Sequence, residues 1–164
     1  MRFAQALQHI LKLEGGYVDD PRDPGGATNY GITQRTYDAW RASQGLLPRD
    51  VRQIEEREVA KIYFERYWKA CRCEELPPPL DVLVFDAAVN QGPAAAVRML
   101  QQVLGVKVDG VVGPQTLRAV QAADLDEIVP LYLAERALRY VRLAHFDRFG
   151  RGWLKRLFWI ARHA

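Results

Sequence analysis

Between Glu14 and Gly31 the chain reads EGGYVDDPRDPGGATNYG, with glycines at 15, 16, 25, 26 and 31 and prolines at 21 and 24. Proline removes backbone donors and glycine favours turns, so this segment cannot continue a helix and is expected to form a tight, hairpin-like loop. Helical patterns flank it. Phe3, Leu7, Ile10 and Leu11 make an apolar stripe ending near Leu13, and Thr33 is placed to cap a second helix through about Trp40.

The remainder reads as helix after helix. Val51, Ile54, Val59, Ile62, Tyr63 and Tyr67 recur at helical spacings, which predicts one helix from about Asp50 to Trp68. Leu76-Pro-Pro-Pro-Leu80 stops it. Asp81 to Asn90 is nearly continuous in apolar residues, as in a central helix buried on most sides. Gly92 then closes one helix and Pro93 opens the next, to about Leu104. Gly105 to Pro114 is a turn-rich connector, followed by a short helix over 116–123. Asp124 or Asp126 can cap a long last helix whose apolar face includes Leu131, Leu138 and Val141. The pattern is that of a mainly α domain.

With 164 residues, 49% hydrophobic and 26% charged, the chain suffices for one packed domain and excludes a large multidomain enzyme or a disordered chain. Cys71 and Cys73 are one residue apart, too close for an ordinary disulfide and too few for a zinc site, and are expected to be reduced. His9, His145 and His163 are scattered, so neither a metal nor a cofactor is expected. Met1 to Leu13 lacks the unbroken apolar run of a secretory signal, and no stretch is long and apolar enough to span a membrane.

Charge is unevenly distributed. The net charge is +3, yet from Arg136 onward eight basic residues face one acid, Asp147, giving that end +7 and residues 1–135 a net −4. Such an end suits an anionic partner or is simply a solvated helix face. No recognition-helix or RNA-binding pattern accompanies the charge, so nucleic acid is not expected. In GWLKRLFWI (152–160), Trp153, Leu154, Leu157, Phe158 and Trp159 join Lys155 and Arg156 in a pattern that suits an anionic membrane or lipopolysaccharide surface or else seals the core of a small domain.

A carboxylate ending an apolar helix, followed by a glycine-rich loop that returns further carboxylates past it, is how a glycosidase sets two acids across one sugar bond. Glu14 is the candidate acid, with Asp19, Asp20, Asp23, Thr28 and Tyr30 in the loop behind it. Glycines there allow close approach of the backbone to a ligand, more than a helix stop needs. Tyr17, Tyr30 and Tyr37 are candidates for stacking on sugar rings, Tyr30 foremost. Trp40, Tyr63, Phe64, Tyr67 and Trp68 read as core.

The string EGGYVDDPRDPGGATNYGIT resembles the signature of the glycoside hydrolase family 108 muramidases, the secretion-activator and phage endolysin group. Ile62-Tyr63 with Tyr67-Trp68, FDAAVNQG (85–92) and VDGVVGPQT (108–116) extend the resemblance over nearly the whole chain. It implies one lysozyme-like helical domain over 1–164, with a catalytic part over 1–90 and a peptidoglycan-binding-like helical part over 91–164. The implied activity is that of a lysozyme: cleavage of the β-1,4 bond between N-acetylmuramic acid and N-acetylglucosamine, with Glu14 as catalytic acid. A non-catalytic peptidoglycan-binding module is the alternative.

Related tailed-phage lysozymes space their residues Glu, eight residues, Asp, five residues, Thr. Glu14 and Asp23 keep the first interval, and Thr28 comes one residue early. Asp23 with Thr28 is therefore one candidate for activating water; Asp19, Asp20 or no second carboxylate are the others. Asp86, Asn90 and Gln91 stand at a helix end as candidates for binding N-acetyl and hydroxyl groups, or as core and cap. The Asp109-Gly110 and Gly113-Pro114 pairs read as turns first and as a glycan-peptide binding segment through the resemblance. The expected partner is peptidoglycan, met by a monomer. The expected route is synthesis in the cytoplasm and action on the cell wall in the periplasm, after release by a holin or another export path.

Overall fold

The computed structural model describes residues 2–164 and is mainly α, with eight α-helices and one two-stranded sheet among them. The chain divides into two compact units, Phe3–Phe64 and Glu65–Ala164.

In the first unit, α1 (Arg2–Leu13) buries Ala6, Leu7 and Ile10. Strands β1 (Thr28–Asn29) and β2 (Ile32–Thr33) pair antiparallel, Thr28 opposite Thr33 and Asn29 opposite Ile32. Thr33 caps α2 (Gln34–Ser43) as expected, its hydroxyl accepting from the Thr36 N–H at 3.2 Å. The single helix expected over 50–68 is broken. The Asp50 carboxylate accepts from the Arg52 N–H at 2.8 Å and caps a short 3₁₀ turn, Val51–Gln53. Glu55 and Glu58 then form a reciprocal capping box that starts α3 (Glu56–Tyr63), and the chain continues as a π-helical turn over Phe64–Lys69. Apolar spacing cannot reveal such a restart, because the cap residues are polar.

An ion-pair network fixes α2 against α3. Arg41 and Glu58 pair at 2.6 Å with both side chains over nine-tenths buried, and the Tyr37 hydroxyl donates to Glu58 at 2.6 Å. Burial opposes ionisation of Glu58, but its hydrogen bonds from Tyr37 and the Glu55 N–H, with Arg49 and Arg41 nearby, outweigh it and hold the carboxyl below the usual range. Tyr37 is thus a buried structural residue, with no ring face to offer a sugar.

In the second unit, α4 (Leu80–Gln91) is buried on nearly every side and packs on α5 (Pro93–Leu104) and α8 (Phe146–His163). Gly92, at φ 93°, separates α4 from α5. Helices α6 (Pro114–Ala122) and α7 (Leu125–Val141) follow, α7 capped by Asp124. Cys71 and Cys73 are buried free thiols, and that of Cys73 is pushed up by the neighbouring Cys71 and by burial.

The inward face of α7 departs from expectation. It is formed by Ile128, Tyr132, Arg136 and Tyr140, whereas Leu131, Leu138 and Val141 are exposed. The reason is Asp86. This fully buried carboxylate accepts from Arg136 at 2.7 Å and from Arg156 of α8 at 2.9 Å, so a charged residue occupies the face that apolar periodicity would reserve for leucine. Burial opposes the charge on Arg136, and the adjacent Asp86 more than restores it. Ile160 and Leu157 are buried as well, so Ile160 belongs to the core, while Phe158 is exposed.

Candidate active site

Glu14 extends the last turn of α1, its N–H donating to Ile10 O at 3.0 Å. The chain then turns at Gly15-Gly16 and Val18 forms a bridge with Thr28 through two hydrogen bonds of 2.8 and 2.7 Å. After the loop, β1 and β2 are joined by Tyr30 and Gly31, at φ 51° and 72°. Two consecutive left-handed residues make the hairpin turn whose twist suits antiparallel strands, and Asn-Tyr-Gly-Ile supplies its glycine at the second position.

That turn carries the geometry of the site. A Cβ on Gly31 would lie 2.9 Å from the Glu14 Oε2 and 2.7 Å from the Tyr63 hydroxyl oxygen. The Tyr63 hydroxyl donates to the Tyr30 carbonyl at 2.7 Å. The Glu14 carboxylate therefore rests against the missing side chain of Gly31, on a turn held from below by α3. Glycine is required here twice over, for its positive φ and for the space it leaves.

Asp23 lies at the other end of the hairpin. Its carboxylate accepts from the Gly25 N–H at 2.8 Å, and a Cβ on Gly25 would stand 3.1 Å from Asp23 Oδ1 and 3.0 Å from Thr33 Cγ2. Thr33 is the strand partner of Thr28, so the Gly25 turn that Asp23 caps packs against the residue opposite Thr28. Gly31 in the turn and Thr33 in β2 are two residues apart. Asp20 is engaged differently: Arg22 bonds both its oxygens at 2.9 and 2.8 Å and holds its carboxyl below the usual range. Asp19 is exposed beside it.

Two supports of the loop carried no readable sequence signal. Asn29 is buried and donates to Val51 O at 3.2 Å, tying β1 to the 3₁₀ turn. Arg52 donates to the Tyr17 hydroxyl at 2.7 Å and lies over its ring at 4.5 Å, which anchors the residue three after Glu14. A half-buried Tyr30 lines a cavity of about 400 Å³ together with Phe3, Leu7, Leu11 and Val59; Glu14 is not among its lining residues.

The other expected sugar-binding residues belong to the second unit and are engaged internally. Asp86 is fully buried between Arg136 and Arg156, Asn90 accepts from the Tyr140 hydroxyl, and Gln91 accepts from Arg136 at 3.2 Å. A carboxylate enclosed as Asp86 is has no surface to offer a sugar. In VDGVVGP, the buried Gln101 accepts from the N–H groups of Asp109 and Gly110, at 3.0 and 2.9 Å, and donates to Val111 O at 2.9 Å. Those hydrogen bonds close the turn onto α5.

Two family models match successive segments of the chain. The family model described as Glycosyl hydrolase 108 matches residues 7–92, which include Glu14, Asp23, Thr28 and Tyr30, and one described as Predicted Peptidoglycan domain matches residues 95–158. A solved structure, that of SagA from Brucella abortus, is 39% identical with a TM-score of 0.86, covering 99% of this chain and 92% of that one. No curated protein matches. A glycosyl hydrolase segment joined to a peptidoglycan domain supports a peptidoglycan hydrolase, and by both the matched segment and the shared structure the chain belongs to the glycosyl hydrolase 108 family.

Proposed function

We propose that the protein is an N-acetylmuramidase that hydrolyses the β-1,4 bond between N-acetylmuramic acid and N-acetylglucosamine, with Glu14 as the general acid. The observation that carries this reading is the seat of Glu14. A carboxyl group stands at the end of an amphipathic helix, against a two-residue turn that leaves it room, inside the glycosyl hydrolase match. Glu14 gives a proton to the bridging oxygen as the bond from C1 of the muramic acid breaks, and water adds to C1 while its surplus proton passes to a carboxylate of the site.

Asp23 is the carboxylate we assign to the water or to the cationic transition state, with Thr28, the strand partner of the Thr33 against which Gly25 packs, assigned to the same water. Tyr30 is assigned to the rim of the sugar site, because it belongs both to the turn under Glu14 and to the lining of the adjacent cavity. Asp86, Asn90 and Gln91 receive no substrate role here. The 95–158 segment supports recognition of the same polymer.

Product analysis tests the bond assignment. Digestion of purified peptidoglycan is expected to yield fragments with N-acetylmuramic acid at the reducing end. Fragments ending in N-acetylglucosamine, or released peptides with intact glycan strands, would overturn it.

A further inference from the structure

The outward stripe of α8 consists of positions 148, 151, 155, 158 and 162, spaced by alternating three and four residues, which keeps them on one helix face. They are Arg148, Arg151, Lys155, Phe158 and Arg162, and all are exposed. The two other arginines that pack α7 and α8 together, Arg136 and Arg156, are spent on Asp86. Among the described residues no ion pair neutralises the four outward cations. Arg148 lies over the Phe149 ring at 5.0 Å.

Apolar exposure is concentrated in the same helix pair. Phe158 is 69% exposed with Lys155 and Arg162 one turn to either side of it, and Leu131, Leu138, Val141, Leu143 and Phe149 are exposed along α7, the α7–α8 turn and the start of α8. Cations alone would fit any polyanion. A large bare aromatic side chain flanked by cations fits a bilayer surface, where the ring enters the acyl boundary while guanidinium and ammonium groups meet the phosphates. We propose that the outer stripe of α8 docks the protein on a membrane rich in anionic phospholipid, holding it by Arg148, Arg151, Lys155 and Arg162 with Phe158 as the inserted residue. Leu157 and Ile160 keep the helix on its own unit, so docking is peripheral and needs no unfolding.

Flotation with vesicles tests this. The full chain is expected to float with vesicles of phosphatidylglycerol and phosphatidylcholine and to remain behind with phosphatidylcholine alone, and binding should fall as salt is raised. The double variant Arg151→Glu/Lys155→Glu should lose roughly tenfold or more of its vesicle affinity. Phe158→Ser should weaken binding while leaving its salt dependence in place. Both should keep the wild-type melting temperature, which separates a surface role from a folding one. Equal binding to neutral and anionic vesicles, or undiminished binding by the folded double variant, would overturn the proposal. So would tighter binding to duplex DNA than to anionic vesicles, which would assign the stripe to nucleic acid.

Discussion

Glu14 and Gly31 are seventeen residues apart in sequence and in contact in space: the Glu14 Oε2 lies 2.9 Å from where a Cβ on Gly31 would be, and its Cγ at 3.1 Å. The carboxylate of one depends on the emptiness of the other. Because Gly31 also sits at φ 72°, any side chain there is strained before it touches anything.

Gly31→Ala is expected to destabilise the turn by about 1 kcal/mol through its positive φ alone. By pushing aside Glu14 or Tyr63 it should also lower kcat by roughly 10- to 100-fold, the scale of a small misplacement of a catalytic group. Tyr63→Phe removes the hydroxyl that would be struck first, at 2.7 Å. The loss caused by Gly31→Ala should therefore be smaller in the Tyr63→Phe background, as a double-mutant cycle on peptidoglycan clearing will show. Strict additivity would place the two residues in separate roles.

Asp86→Asn is expected to cost about 3 kcal/mol or more, because Arg136 would keep its charge in a fully buried position without a carboxylate. Arg156→Met should cost less, since Asp86 still has Arg136 at 2.7 Å and the Arg156 side chain is partly exposed. Denaturant unfolding of the two variants checks the order. Equal losses would mean that Arg156, and not the burial of Arg136, dominates the network.

Glu58 links stability to pH. Its folded-state carboxyl lies below the usual range, so its contribution is complete above the ordinary glutamate value of about 4.3 and is lost as pH falls through the depressed folded value. Glu58→Gln should lower the melting temperature clearly at pH 7, and the gap to wild type should narrow as pH drops below about 4. A gap that is constant with pH would show that Glu58 stabilises by packing and not by its charge.

Much of the first unit's site was legible because its signals are local. Glycine and proline punctuation located the loop after α1, Thr33 announced its own cap, and Gly92-Pro93 marked the α4–α5 junction. What was not legible depends on residues distant in sequence. Asp86 reads as a helix-end polar residue until Arg136 and Arg156 are brought to it, fifty and seventy positions away. Once Arg136 is buried, the exposed Leu131, Leu138 and Val141 mislead, because periodicity identifies an apolar stripe but not which stripe faces in. Tyr63 reads as core and is core, yet its hydroxyl also supports the turn under Glu14, a role only the folded chain discloses.

The most direct measurement is the rate of glycan cleavage in purified peptidoglycan by Glu14→Gln, read as new reducing ends per enzyme and paired with its melting temperature. Glutamine keeps the size of the side chain and removes the transferable proton. A folded variant slowed by roughly 100- to 10,000-fold, the contribution of general acid catalysis, is the predicted result. Near-wild-type release of reducing ends by a folded Glu14→Gln protein would contradict it.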